Sequence, residues 1–231
     1  MSGGLWLYAF VDDVVLVGHD LGLGLAGEPL RLVAPAGLRA VVGALPGAPP
    51  APTPAALREH DAAVRRLEGL AGAVLPARFG QVAADEAALA ERIGPRVDAL
   101  RRALDLVRGR EQMTLRLFGP LEATGALPAA DDPGDTGLGP GARYLARRRA
   151  ALGVPEAAGL LEALGARVRA TRVERPAAGA GELLASVYHL VDRGAADGYR
   201  AQVEALAPGL APRRVRVSGP WPAYAFAGEA P

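Results

Sequence analysis

The chain contains no cysteine and no lysine. The first absence excludes disulfides, thiol nucleophiles and cysteine-ligated metals. The second makes arginine the only strong base, and with 30 glycines, 20 prolines and abundant alanine this usage reads as GC-rich coding, not as a functional choice. Charge of one sign is also missing: 26 basic residues face 25 acidic ones. That balance argues against a nucleic acid or an anionic membrane held by bulk electrostatics. No apolar run approaches the ~18 residues of a membrane span. The short apolar run Leu5 to Val11 lacks a basic leader and enters Asp12-Asp13, so it reads as a strand and not as a signal peptide. A soluble cytoplasmic protein is expected. Half of the 231 residues are apolar, enough for one large or two small domains with real cores.

Leu5 to Val11 is short, continuous and aromatic, as a strand buried on both faces would be. The Gly-rich stretch to Glu28 is irregular, with a short extended piece at Val14 to Val17. Pro29 to Val33 and Leu38 to Ala44 form a hairpin around Pro35-Ala36-Gly37. The stiff connector Pro46 to Pro54 delivers Thr53 as a helix N-cap with Pro54 in the first helical position. Leu57, His60, Val64, Leu67 and Ala71 then recur at helical spacing and form the buried stripe. Val74-Leu75 is a strand limited by Pro76, and the chain turns at Gly80. A second helix runs from an Asp85 cap to Arg108, kinked at Gly94-Pro95 and stopped at Gly109.

The second half reads β-α-β-β-α-β: a strand at Gln112 to Phe118, a loop at Gly119 to Gly139, and a helical region at Gly141 to Arg169 interrupted at Gly153-Val154-Pro155. Strands follow at Ala170 to Arg175 and Leu183 to Val191, then a helix at Ala195 to Ala207 capped by Asp192, and a strand at Arg213 to Val217. This is the ferredoxin-like order, and arginines mark the two strands it places at the edges. The fold class is therefore α+β: an N-terminal α+β sandwich (1–109), a C-terminal ferredoxin-like domain (110–218) and a tail (219–231). The tail, GPWPAYAF, is too proline-rich for a regular element. Its three aromatics are expected to fold back onto the first domain or the domain junction, because leaving each in water forfeits about 2 kcal/mol.

Candidate chemistry is sparse. Gly22 to Gly27 fits G-x-G-x-x-G, but a strand follows it where a dinucleotide site needs a helix N-terminus, so it reads as a loop. His60 and Asp61 are adjacent on a helix and point about 100° apart, so they form no dyad with each other. His19 and His189 lack the converging partners that zinc requires. Arg78 is expected to pair with Glu59, Asp61 or Asp85 and so fix the strand-to-helix turn. Arg147-Arg148-Arg149 reads as a solvated helix face, or as a partner patch. Tyr188 and Phe118 suggest an RNA-recognition sheet, but the aromatic motif of that module is absent. No Ser, Cys or Lys nucleophile sits beside a base, and no carboxylate pair stands out. Catalytic, cofactor and metal residues are each read as none.

LREHDAAVRRL, VLPARFG, VRGREQMTLRLF, GPGARYLARRR and SGPWPAYAF, in this order and spacing, resemble the gas vesicle protein F/L family nearly end to end. The chain departs from that pattern in a short loop after Val11, a reduced 119–139 insertion and the break at 153–155. The resemblance implies two α+β domains with a returning tail, no catalysis, and an accessory role in forming gas vesicles in the cytoplasm. It implies as partners the small, very hydrophobic major shell protein and other gas vesicle accessory proteins, bound by a monomer. The expected contact surface is the first domain around the 57–80 segment, with Arg58, His60, Asp61, Arg78 and Phe79 as candidate residues. The competing reading is a ferredoxin-like small-molecule-binding protein or enzyme with a site between the domains.

Overall fold

The structure, a computed structural model, describes residues 4–12, 18–120, 154, 157–176 and 182–228. The chain divides into two compact units, Met1–Gln112 with Pro220–Pro231, and Met113–Gly219. Both are mixed α/β, each built around one antiparallel sheet. The expected extended piece at 14–17, most of the 119–139 loop, the Arg147-Arg148-Arg149 run and the break at 153–155 (Val154 apart) lie outside the described residues.

The first unit holds β1 (Gly4–Val11), β2 (Arg31–Val33), β3 (Arg39–Leu45), α1 (Pro54–Glu68), β4 (Val74–Pro76), β5 (Val82–Ala83), α2 (Glu86–Ile93) and α3 (Val97–Val107). Its strand order is β2-β3-β1-β4, with β5 also paired to β1. β1 is the centre, and the all-apolar LWLYAFV run is there because both of its faces are covered. The β1–β3 register shifts between Leu7 and Ala9. This inserted residue lets Trp6 and Tyr8, then Ala9 and Val11, all join the core under α1, while Leu5, Leu7 and Phe10 are buried without joining it. A one-turn 3-10 segment at Pro35–Gly37 joins β2 to β3. The two-residue strand β5 carried no signal in the sequence.

α1 begins where its sequence says it should. Thr53 is extended, its Oγ1 accepts from Ala56 N at 3.2 Å, and Pro54 opens the helix. Its buried face is Ala56, His60, Ala63, Val64 and Leu67. Leu57 does not belong to that face: it is 44% exposed, because Ala56, one position earlier, takes the inward place in the i, i+4 row with His60 and Val64. Asp85 caps α2 through Ala88 N at 2.8 Å, and Gly94–Arg96 tightens to a 3-10 turn where the proline kink is expected. The Asp12 carboxylate accepts from Ala73 N at 2.9 Å and also pairs with Arg108, which ties the ends of β1 and α3 to the start of β4. Gly109 turns there with a φ of 64°, a backbone state only glycine adopts without cost.

The second unit follows β6 (Arg110–Phe118) with α4 (Ala158–Leu164), β7 (Val168–Glu174), β8 (Leu183–Asp192), α5 (Ala196–Leu206) and β9 (Arg214–Trp221). The sheet order is β7-β8-β6-β9. Met113, Leu115 and Leu117 of β6 share a core with Leu160, Leu161 and Leu164 of α4, Ala185, Val187 and Val191 of β8, and Tyr199 and Val203 of α5. Three expectations change. The helix before β7 ends early, so Val168 and Arg169 are strand. Asp192 does not cap α5: the N-cap is Ala195 with no side-chain bond, and the Asp192 carboxylate takes Arg169 across the β7–β8 pair. β9 does not stop at Val217 but runs through Gly219-Pro220 to Trp221. An edge strand tolerates a residue without an N–H, so proline does not end it.

Replacing Thr53 with Ala is expected to cost about 1 kcal/mol of stability, and Thr53→Ser to restore most of it, read by urea denaturation.

Candidate protein-docking cleft

The segment from Leu57 to Gly80 turns α1 back into the sheet, and His60 sits in the corner. Its side chain is 2% exposed. Trp6 Nε1 donates to His60 Nδ1 at 3.1 Å, and His60 Nε2 lies 3.1 Å from the carbonyl oxygen of Ala77. An indole N–H can only donate, so Nδ1 carries the lone pair and Nε2 carries the proton given to Ala77. The imidazole is therefore neutral. Burial pushes its pKa below the ordinary histidine value, against the smaller opposing pulls of the Ala77 carbonyl and Asp61.

Aromatic rings surround it. Tyr8 stacks on the imidazole at 5.1 Å, and Phe79 meets both His60 (5.7 Å) and Trp6 (4.9 Å) edge-on. Tyr8 is fixed from its other end: its hydroxyl donates to Glu28 Oε1 at 2.6 Å and accepts from Leu25 N at 2.8 Å. Burial and the Glu28 carboxylate push that hydroxyl far above the usual tyrosine range. Glu28 lies against the backbones of Gly24 and Gly43, where a Cβ at either position would collide with it. The G-x-G-x-x-G stretch is thus a closed loop. Its amides at Gly22, Gly24, Leu25, Ala26 and Gly27 already bond to Asp20, the Glu28 carbonyl, Tyr8, the Glu28 carboxylate and the Gly24 carbonyl, so these five are not free to cradle a phosphate.

The outer face of α1 carries the C-terminal segment. Asp61 accepts from Arg65 Nε at 2.7 Å and also from the Tyr224 hydroxyl. Arg65 stands 4.9 Å over the Trp221 ring and donates to the Pro220 carbonyl at 3.3 Å. Ala225 N donates to the buried Gln112 side chain at 2.8 Å, and Phe226 is buried in a 3-10 turn at Tyr224–Phe226. Burial is the main reason the Tyr224 hydroxyl lies far above its ordinary pKa.

Between this segment and residues 78–79 lies a cleft of about 280 Å³ lined by Leu57, His60, Asp61, Arg78, Phe79 and Tyr224. Four of the five contact candidates from the sequence, His60, Asp61, Arg78 and Phe79, meet here. Arg58 does not: it is exposed on α1 and away from the lining. Leu57 and Tyr224 are the lining residues that sequence reasoning missed. Helical spacing places Leu57 in the buried stripe, and Tyr224 lies about 160 residues away in the chain. The expected ion pair of Arg78 does not form. Arg78 is exposed and makes no hydrogen bond or salt bridge among the described residues; of its expected partners, Asp61 is taken by Arg65 and Tyr224, and Asp85 caps α2.

His189, the other buried histidine, lies on β8 with Nδ1 2.7 Å from the Tyr199 hydroxyl, and burial lowers its pKa to about 4. It lines a smaller cleft of about 190 Å³ with Glu162, Arg169 and Thr171. Among the described residues, no group of three His, Cys, Asp or Glu converges on a metal position, and no helix is long and apolar enough to cross a membrane.

Fold and cleft together define a two-unit α/β protein with an aromatic-lined surface site. The profile of the family described as "Gas vesicle synthesis protein GvpL/GvpF" matches residues 4–228, and the chain belongs to that family. Two solved structures share its fold. The gas vesicle protein GvpF from Anabaena sp. PCC7120 aligns at 16% identity and a TM-score of 0.69, covering 98% of this chain and 96% of that one. GvpF from Microcystis aeruginosa aligns at 18% identity and a TM-score of 0.69, covering 97% and 98%. A search of curated protein sequences gives no match.

The buried histidines set a pH response. A histidine whose folded pKa lies below its unfolded value takes up its proton more readily once unfolded. Stability is therefore complete above about 6.5 and is lost as pH falls, for His189 across the window from 6.5 to about 4. The loss attributable to His189 is about 3 kcal/mol at full protonation. Urea melts at pH 7 and pH 4.5 should show that His189→Gln, which keeps a side-chain partner for Tyr199 but cannot titrate, has a shallower acid slope than the native chain.

Proposed function

We propose that this chain is a non-catalytic gas vesicle accessory protein that binds the hydrophobic major shell protein, and with it other accessory proteins, during vesicle nucleation and assembly in the cytoplasm. The observation that carries this reading is the family match over residues 4–228, joined to an aromatic-lined cleft in the first unit that leaves Leu57 and Arg78 open to a partner. The physical need is plain. A shell subunit with an apolar gas-facing surface aggregates unless something covers that surface until it is incorporated. A monomeric binder with His60, Asp61, Arg78 and Phe79 in its cleft, and Arg58 exposed elsewhere on α1, would present apolar walls with polar edges, the layout of a reversible protein interface.

Two details of architecture belong to the same reading. We take the second unit as ferredoxin-like, supported by the β7-β8-β6-β9 order with β6 and β8 central. We take the C-terminal tail as folding back on the first domain, supported by the contacts of Pro220, Trp221, Tyr224 and Ala225 with Arg65, Asp61 and Gln112.

One observation favours the competing small-molecule reading: His189 and Tyr199 stand beside the cleft with Glu162, Arg169 and Thr171. It is the weaker one, since Arg169 is already tied to Asp192 and the cleft is small.

Co-expression with the shell subunit is the test. The shell protein should stay soluble and co-purify with the tagged native chain, and a deletion strain should make fewer or malformed vesicles. No co-purification together with normal vesicles would sink the proposal.

A further inference from the structure

We infer that the cleft is a composite docking site for a short segment of a partner protein that carries an aliphatic side chain beside a carboxylate, and that Tyr224 completes it. The inference rests on the docking role proposed above and adds the chemistry of the occupant and the part played by the C-terminal segment. The walls are apolar: Leu57, 44% exposed on its own helix, faces Phe79 and the Tyr224 ring over the His60 floor. The space of about 280 Å³ takes an aliphatic side chain with a little backbone, and not a folded domain.

Charge decides the rest. Two lining residues are charged. Asp61 is satisfied twice over, by Arg65 and by the Tyr224 hydroxyl. Arg78 has no partner among the described residues. The site therefore offers one open cation beside an apolar wall, and a guanidinium in that setting selects a carboxylate, which it can bind with two parallel hydrogen bonds.

The far wall is borrowed. Tyr224 reaches the cleft only because residues 220–226 are held on α1 and on Gln112. Partner binding and tail docking are thus coupled, and losing either weakens the other by the same factor.

Both tryptophans of the chain report on this corner, Trp6 through His60 and Phe79 and Trp221 through Arg65. The probe is the peptide acetyl-Leu-Glu-Leu-amide, followed by tryptophan fluorescence on the full chain. A saturable change is expected, weakened about tenfold by Arg78→Glu, the scale of one charge-assisted hydrogen bond. Replacing Glu by Lys in the peptide should restore binding to Arg78→Glu. Tyr224→Ala should abolish binding, while Tyr224→Phe, which keeps the wall, should retain most of it. Arg172→Glu, an exposed reversal on β7, should change nothing, and circular dichroism checks that each variant is folded. No saturable change with the native chain, or equal binding by Arg78→Glu and Tyr224→Ala, overturns the inference. So does a native dimer that Arg78→Glu dissociates, since the occupant would then be a second copy. If the peptide behaves as expected but the shell subunit is not captured, the cleft stands and the shell-binding role falls. If the shell subunit is captured equally by the native chain and both variants, the role stands and the cleft chemistry is wrong.

Discussion

A neutral imidazole held between an indole N–H and a backbone carbonyl is the contact on which the first unit depends. His60 accepts from Trp6 on the central strand and donates to Ala77 just past β4, so one side chain pins α1 to two parts of the sheet. Each bond is worth about 1 kcal/mol net, but orphaning the buried Trp6 donor would cost about 1–3 kcal/mol more. The asymmetry explains why a polar residue stands where the helix pattern calls for leucine. A leucine there would bury as much apolar surface and leave both partners unpaired. The stacked Tyr8 and the edge-on Phe79 then take their positions from the ring.

The cleft is built outward from that pin. Phe79 and Arg78 lie where the chain leaves Ala77, so the His60 bond to Ala77 sets how far they stand from α1. The opposite wall is less firmly held. Asp61 with Arg65 is a half-exposed i, i+4 pair, worth about 0.5 kcal/mol. Burial of Ala223, Phe226 and Ala227 adds an apolar contribution to holding the C-terminal segment. One wall of the cleft is therefore held by buried hydrogen bonds and ring contacts, and the other by half-exposed ones.

Much of this was legible in the sequence because local rules governed it. Thr53-Pro54, Asp85, Gly94-Pro95 and Gly109 punctuate the helices as their chemistry requires, and the all-apolar β1 declares a strand covered on both sides. The family was legible for the same reason: its motifs fall on these corners and on the tail. What could not be read was long-range. Leu57 fits the helical stripe by spacing, and only the three-dimensional rotation of α1 shows that Ala56 takes its place. Arg78 had three carboxylates nearby in sequence, yet Asp61 is committed to its i+4 neighbour Arg65 and to the distant Tyr224, and Asp85 to capping Ala88. Tyr224 joins a site some 160 residues upstream, which no periodicity can announce. Gly219-Pro220 read as a break, and its place at a sheet edge made it strand.

The corner between α1 and the sheet depends on the state of one ring, and nitrogen-15 NMR of the His60 imidazole measures it directly. At pH 6.5, where an ordinary histidine is half protonated, the spectrum should show a neutral ring with its proton on Nε2, a bare Nδ1, and a Trp6 indole N–H shifted by a strong hydrogen bond. A ring half protonated at that pH, or carrying its proton on Nδ1, would contradict the pin between Trp6 and Ala77 and the cleft built upon it.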